Sequence, residues 1–390
     1  MRKVFQTSYN KIGAGQPCYI IAEISCNHEG NKDEAKRIIE EAEKAGANAV
    51  KIQTYTPDTM TRDFKTKPVG TIWQNTDLYS LYQKAQTPWD WSKDLKACAN
   101  NLGLDFFSSP FDETAVDFLV NDLGVDLLKV ASFEIVDLKL LEKMAKTGLP
   151  IIMSNGMTNF LELDEAVRTV RTHGCKNLAI LHCNSGYPAA FSEANLKTIP
   201  VIENYFDVTA GLSDHTLFYD HNNYSDAMAH ITPLEAVKLG AKIIEVHLMT
   251  DRKLARSLFE TGEGGFDWPF SREPNELSYM IKLIRQFESE GVHTYSTEKE
   301  QKIARATHGY VCFEPTEKEM ASRQARPSLW VIEDIKRGEI FNFCGGKRGN
   351  IDSIRPAGGL HIRYADFIHG KSARRDLKAG EPLNWDMIDT

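Results

Sequence analysis

Up to His247 the chain sets chemically capable side chains at regular intervals, each at the end of a short apolar run. In order they are Glu23; Lys51 and Gln53; Ser108 and Ser109; Lys129 and Ser132; Ser154 and Asn155; His182 and Asn184; Ser213 and His215; Glu245 and His247. Lys51 and Lys129 are fixed positive charges, and the serines and Asn184 offer hydrogen-bond donors. Such a set suits a small dianion, a phosphate or a carboxylate. A lysine forming a Schiff base is the competing chemistry, because imine-forming lysines also occupy barrel strands. Two lysines accompanied by hydroxyl donors favour the anion. His215 and His247, two histidines without a cysteine, point to an oxygen-tolerant six-coordinate cation such as Mn²⁺. Asp214 and Glu245 could orient their rings. Spacing alone leaves a plainer alternative open, two histidines that only satisfy the interior.

These residues need elements to hold them. β-rich runs occur at Tyr19–Glu23, Ala49–Gln53, Asp105–Ser108, Leu127–Val130, Pro150–Met153, Leu178–His182, Val208–Leu212 and Ile243–His247. Helical patterns lie between them, among them Lys32–Ala45, Trp89–Leu102, Asp112–Leu123, Lys139–Thr147, Leu161–His173 and Asn275–Glu290. In the first, Ala35, Ile38, Ile39, Ala42 and Ala45 form one apolar stripe, and Gly46 stops the helix. Eight strand–helix repeats predict a (β/α)₈ TIM barrel over residues 1–290, whose strand carboxyl ends form the active face. An open doubly wound sheet is disfavoured, because Glu23 is followed by Ile24-Ser25-Cys26-Asn27-His28-Glu29-Gly30 and not by G-x-G-x-x-G.

Two interruptions, about Tyr55–Pro88 and Arg252–Pro269, fall on that active face and are candidate substrate walls or lids. A polar linker over 291–325 precedes a different pattern. Leu329–Ile332, Ile354–Gly359 and Lys371–Pro382 read as short strands around tight turns, a small β-rich domain over 326–390. A unit of that size leans on a larger surface.

Composition excludes several classes. The formal net charge is −8 with no long basic stripe, so nucleic acid is not an expected partner. Cys18, Cys26, Cys98, Cys175, Cys183, Cys312 and Cys344 are scattered and form no C-x-x-C pair, which fits a reducing cytoplasm. The opening MRKVFQTSYNKIG has no apolar segment behind its basic residues, and the apolar runs are strand-sized, so neither a signal peptide nor a membrane span is expected.

Several motifs carry a closer likeness: AEISCNHEG at Ala22–Gly30, AGANAVKIQT at Ala45–Thr54, FSSPFD at Phe107–Asp112, KVASFEIVD at Lys129–Asp137, SNGM at Ser154–Met157, NSGYP at Asn184–Pro188 and GLSDHT at Gly211–Thr216. EVH at Glu245–His247, DWPFS at Asp267–Ser271, SLWVIEDIKRGE at Ser328–Glu339 and SIRPAGGL at Ser353–Leu360 follow. On these the chain resembles the sialic acid synthase family, a barrel followed by a small antifreeze-like (SAF) domain. TPWDW at Thr87–Trp91 with ASFEI resembles its pseudaminic acid synthase branch.

The resemblance implies an enzyme that condenses phosphoenolpyruvate with an acetamido-hexose aldehyde. Lys51, Lys129, Ser132, Ser154, Asn184 and Ser213 would hold phosphoenolpyruvate. His215 and His247 would hold a divalent metal, Mn²⁺ or alternatively Mg²⁺ or Co²⁺. Glu23 would orient or deprotonate the attacking water, and Gln53, Tyr187 and Asp267 would contact the sugar. Arg355 would reach the sugar in the barrel of a second copy, a domain-swapped homodimer. Three features depart from the family pattern: Val246 where a lysine is usual, the stretch Phe218–Thr232, and the longer, charged segment Arg252–Phe266. They keep two alternatives open, a non-catalytic sugar-binding paralogue and a Schiff-base pyruvate aldolase.

Overall fold

The computed structural model describes residues 4–67, 71–219, 227–345 and 348–389. Eight parallel strands close into a barrel: β1 (Tyr19–Glu23), β2 (Ala49–Thr54), β3 (Asp105–Pro110), β4 (Leu128–Val130), β5 (Ile151–Ser154), β6 (Leu178–Cys183), β7 (Thr209–Asp214) and β8 (Ile243–His247), with β8 returning to β1. The helices that follow them in turn are α1 (Lys32–Ala45), α2 (Ser92–Asn101), α3 (Glu113–Asp117), α4 (Leu138–Lys146), α5 (Phe160–Thr172), α6 (Thr198–Phe206), α7 (Ile231–Lys238) and α8 (Pro274–Glu290).

Local chemistry sets these boundaries. Asn31 caps α1 by accepting from the amides of Asp33 and Glu34, and Gly46 ends it in the left-handed region at φ 91°. The stripe Ala35, Ile38, Ile39, Ala42 and Ala45 is buried, as its spacing predicts.

Strand alternation divides the core in two. Ile20, Ala22, Val50, Ile52, Val130, Ile244 and Val246 face outward and pack beneath the helices. Tyr19, Ile21, Ala49, Phe107, Ile152, Leu181 and Ile243 face inward and fill the barrel. Phe5 and Ile12, from a two-stranded hairpin of Phe5–Gln6 with Lys11–Ile12, complete that inner cluster and plug the amino-terminal end. Beneath it Thr7 Oγ1 and Tyr19 Oη donate to Asp105, at 2.6 and 2.9 Å.

The first interruption folds as two short helices, Pro57–Met60 and Leu78–Ala85, and the second as a helix, Arg252–Thr261. They meet as one wall. Trp73 Nε1 donates to the Phe266 carbonyl at 2.9 Å, Lys84 Nζ to that of Gly262 at 2.8 Å, and Leu78, Leu81, Phe266 and Cys26 share a buried cluster.

Residues 291–325 are more than a linker, since helices Glu298–His308 and Glu317–Arg323 form within them. The SAF domain holds its own core around one antiparallel pair, β9 (Ser328–Val331) and β10 (Ile351–Ile354). The strand expected at Ile354–Gly359 is corrected: β10 ends at Ile354, before the cis Arg355–Pro356 peptide, and the following residues turn. The rest of the domain is held by isolated bridges such as Ile335 with Leu377 and Trp330 with Pro382. Among the described residues no helix is long and apolar enough to cross a membrane.

Candidate active site

Register assembles the site. Glu23 pairs across to Lys51 on one side and to His247 on the other, Glu245 pairs to Ser213, and Gln53 to Ser109. All seven face the mouth of the barrel, where they line an open cleft of about 970 Å³, part of it continuous with solvent. At its floor Lys51 Nζ forms an ion pair with Glu23 and lies 3.9 Å from Glu245, while Lys129 Nζ lies 3.8 Å from Glu245. Lys129 also donates to Ser154 Oγ at 2.6 Å, Lys51 to Ser109 Oγ at 3.3 Å, and Ser213 Oγ to Glu245 at 3.0 Å.

Two ammoniums are thus balanced by two carboxylates with almost no water, Lys51 and Lys129 being 3 and 1 % exposed. Burial lowers the Lys51 ammonium pKa; Glu245 opposes the shift and Lys129 adds to it. Burial pushes the Glu245 carboxyl up, but Lys129, Lys51 and the Ser213 hydroxyl together hold it below its ordinary value.

Above this floor the rings of His215 and His247 stand 5.2 Å apart between centroids. Burial depresses both imidazoles, so both are held neutral. Asp267 lies 3.0 Å from His247 Nδ1, and the Asn184 carbonyl lies 3.2 Å from His215 Nδ1. Each ring therefore keeps its Nε2 for another partner, the arrangement of paired metal ligands. Among the described residues no three His, Cys, Asp or Glu side chains form a metal cluster, so the protein itself would give a cation two ligands. Cys183 Sγ also lies 3.5 Å from His215 Nδ1.

Tyr187 stacks on Phe133 and tilts against His215, with centroids 6.0 and 4.5 Å apart. Gln53 Nε2 donates to Ser25 Oγ at 3.1 Å. Ser132 accepts from the Gly156 amide at 3.2 Å. A side chain at Gly156 would put its Cβ 2.1 Å from Ser185 Oγ and 2.7 Å from Ser132 Oγ, so only glycine fits there.

Of the residues proposed from sequence, Glu23, Lys51, Gln53, Lys129, Ser132, Ser154, Tyr187, Ser213, His215, His247 and Asp267 all line this one cleft. Asn184 does not: its amide donates to the Glu193 carbonyl at 3.1 Å and its oxygen accepts from Gly186 N at 2.9 Å, so the side chain is spent on its own loop. Arg355 does not line the cleft of its own chain either. It is buried against its own chain's barrel, paired with Glu134, donating to Tyr82 Oη at 2.9 Å and lying 4.6 Å from the Phe133 ring centroid. Its backbone fixes it there, through Arg355 N to the Met60 carbonyl at 2.9 Å and Thr61 Oγ1 to the Arg355 carbonyl at 2.7 Å.

TPWDW lies behind the wall, with Thr87 Oγ1 3.1 Å from His28 Nε2 and Trp89 Nε1 donating to the Tyr55 carbonyl at 3.0 Å. Val246 faces outward beneath the helices, so the departure at that position does not touch the cleft. Part of the departing stretch Phe218–Thr232, residues 220–226, lies outside the described residues.

The apolar side of the cleft, Leu78, Leu81, Ala85, Trp73 and Phe266, comes from the two interruptions read as candidate walls, although none of these five residues was singled out within them. Sequence reasoning placed Glu245 with the histidines and not with the lysines. Alternation on β8 carries the needed signal, because Glu245 and His247 must share the inner face.

Comparison with known proteins agrees with this architecture. The NeuB family matches residues 38–293, and the SAF domain matches residues 326–389. The pseudaminic acid synthase of Helicobacter pylori is 35% identical over 383 residues, covering 96% of this chain and 98% of that one. The N,N'-diacetyllegionaminic acid synthase of Campylobacter jejuni is 33% identical over 371 residues, covering 93% and 97%. The solved structure of the spore coat polysaccharide biosynthesis protein SpsE of Bacillus subtilis superimposes with a TM-score of 0.79 at 30% identity, covering 100% of this chain and 99% of that one.

Proposed function

The chain belongs to the NeuB family, with a SAF domain behind its barrel, and on that premise we propose that it is a nonulosonic acid synthase. It condenses phosphoenolpyruvate with the open-chain aldehyde of an acetamido-hexose and releases phosphate. The observation that carries this reading is the stacking of two chemistries in one cleft, a floor of two lysines and serine hydroxyls below two neutral histidines.

Lys51 and Lys129, with Ser132, Ser154 and Ser213, bind the phosphate and carboxylate of phosphoenolpyruvate and keep its charge neutralised as the phosphate leaves. C3 of phosphoenolpyruvate attacks the aldehyde carbon and forms the new carbon–carbon bond, the C=O pair moving to the aldehyde oxygen and an oxocarbenium being left at C2. Glu23 orients the water that adds to C2 and accepts its proton, which replaces the one the aldehyde oxygen takes up to become a hydroxyl. The adduct then breaks its C2–O bond, the C2 hydroxyl becoming the ketone as its proton leaves with the phosphate. His215 and His247 are the residues that would hold a divalent cation, Mn²⁺ foremost, which supplies Lewis acidity to the aldehyde oxygen when bound. Asp267 keeps His247 in the tautomer this requires. Tyr187 and Phe133 give the sugar a stacking surface and exclude water.

The apolar wall of Leu78, Leu81, Ala85 and Phe266 suits acetamido methyls and a deoxygenated carbon better than a hydroxymethyl group. With the likeness to the Helicobacter pylori enzyme, it favours a 2,4-diacetamido-trideoxyhexose and a pseudaminic acid type of product. The proposal includes a homodimer, since two copies exchanging SAF domains would make in trans the contacts Arg355 makes within one chain.

The test is phosphate release from phosphoenolpyruvate with Mn²⁺ across a panel of acetamido-hexoses, with the product identified by mass spectrometry and NMR. Release that requires both sugar and metal is expected. No release with any sugar, or a pyruvate adduct trapped by borohydride, would sink the proposal.

A further inference from the structure

The loop after β6 carries Tyr187 into the cleft, and the loop after β5 packs Gly156 behind Ser132, which lines it, yet both loops are fastened by an element outside the barrel. Helix Glu317–Arg323 lies across them, and Glu319 on its inner face is 4 % exposed. Glu319 Oε1 accepts from the amides of Met157 and Ser185 at 2.7 and 2.8 Å. Its Oε2 accepts from Thr316 N at 3.0 Å and Thr316 Oγ1 at 3.2 Å. A buried carboxylate surrounded by donors is a strong fixed anchor.

The same segment grips both residues a second time. Ser322 Oγ donates to the Ser185 carbonyl at 2.6 Å, and Arg326 donates to the Met157 carbonyl at 2.8 Å. Glu319 and Ser322 share one side by helical spacing, and Arg326, just past the helix end, is held in turn by Glu162 at 2.9 Å. Met157 and Ser185 are thus each fixed at both N–H and C=O by the linker and the first residue of the small domain. Met157 needs this hold, because at φ 51° it occupies a conformation that non-glycine residues rarely adopt.

The fastening reaches the reactive floor in one step. Gly156, beside Met157, donates to Ser132 and has no slack against Ser132 and Ser185. Ser154, which receives Lys129, ends the strand that runs into this loop.

We infer that Glu319 is a positioning residue, through which the linker to the SAF domain sets the loops after β5 and β6 that support Ser132 and carry Tyr187. This rests on the synthase reading above for its kinetic consequence and on geometry alone for its mechanical one. Losing the carboxylate frees both loops at once: Ser132 loses its support through Gly156, and Tyr187 and the Asn184 carbonyl behind His215 loosen, while Lys51, Glu23 and Glu245 stay fixed on their strands. Displacements of an ångström or less at such groups cost about tenfold to a hundredfold in efficiency.

The experiment compares full-length wild type, Glu319→Gln and Glu319→Ala by two readouts. The first is the KM for phosphoenolpyruvate and for the sugar, with kcat. The second is hydrogen exchange at peptides covering 155–158 and 184–187. Glu319→Ala should raise the KM for both substrates, that for phosphoenolpyruvate about tenfold, and Glu319→Gln should recover part of it. Exchange should quicken in those two loops and not in β1 or β8. A lower unfolding temperature with the KM for phosphoenolpyruvate unchanged overturns the inference, and so does unchanged exchange in the two loops. A wild type that releases no phosphate, but whose loops loosen in Glu319→Ala, counts against the synthase reading and leaves the clamp standing.

Discussion

Substituting glutamine for Glu245 probes the electrostatics of the cleft floor most directly. The carboxylate lies 3.9 Å from the Lys51 ammonium and 3.8 Å from that of Lys129. At an effective dielectric of ~20, each of these attractions is worth about 4 kcal/mol before desolvation is counted. Glutamine keeps the shape and the acceptor for Ser213 but removes the charge, leaving two buried ammoniums opposite Glu23 alone. Breaking a buried pairing in this way destabilises a protein by about 3–5 kcal/mol. An anion that settles between the lysines replaces the missing charge, so ligand and substitution must be coupled. Phosphate or phosphoenolpyruvate should therefore raise the unfolding temperature of Glu245→Gln by more than it raises that of the wild type. The assay is thermal unfolding at matched anion concentrations in low salt, with chloride as control. An equal or smaller shift in the variant would refute the claim that Glu245 stands where it neutralises an anion-binding pair.

Asp267→Asn should weaken Mn²⁺ affinity by about 10- to 100-fold, because Asp267 orients His247. Unchanged affinity by calorimetric titration would remove it from that role. Arg355→Ala strands the buried Glu134 and should cost about 3–5 kcal/mol, much of it regained in the double variant with Glu134→Gln. Denaturant titration of the four proteins checks this, and additive losses would contradict it. Asp137 caps α4 through Leu140 N, and burial raises its carboxyl to about 7. Its folded pKa lies above its unfolded value, so it burdens the fold as pH rises from about 4 to 7. Asp137→Asn keeps a good cap and should add on the order of 1–3 kcal/mol at pH 8, a gain that fades toward pH 4. A gain independent of pH would show that ionisation is not its cause.

Legibility in the sequence followed periodicity. The strands are readable because inner and outer faces are both apolar up to the mouth and then change character on one face only. β1 and β8 carry the boundaries expected of them, and the remaining strands differ by a residue or two at their ends. Two helices escape a search for stripes. α7 is buried along Ile231–Val237 and shows no polar face, and α6 contains Pro200 within its first turn. Asn184 stands past the strand, where loop geometry and not alternation decides the direction of its side chain. Glu134, Arg355 and Glu319 depend on contacts across 130 or more positions of chain, which no local pattern encodes.

The hairpin bearing Phe5 and Ile12 closes the amino-terminal end of the barrel, so among the described residues the cleft opens at the opposite mouth. Two reactants that share one doorway must queue. The anion belongs at the depth of Lys51 and Lys129, and the sugar belongs above it, between Tyr187 and the apolar wall. A sugar seated first would block the path to the lysines, so the kinetics should be ordered, with phosphoenolpyruvate entering ahead of the sugar. Excess sugar should then act as an inhibitor competitive with phosphoenolpyruvate, a traffic rule imposed by a plug at the opposite end of the molecule.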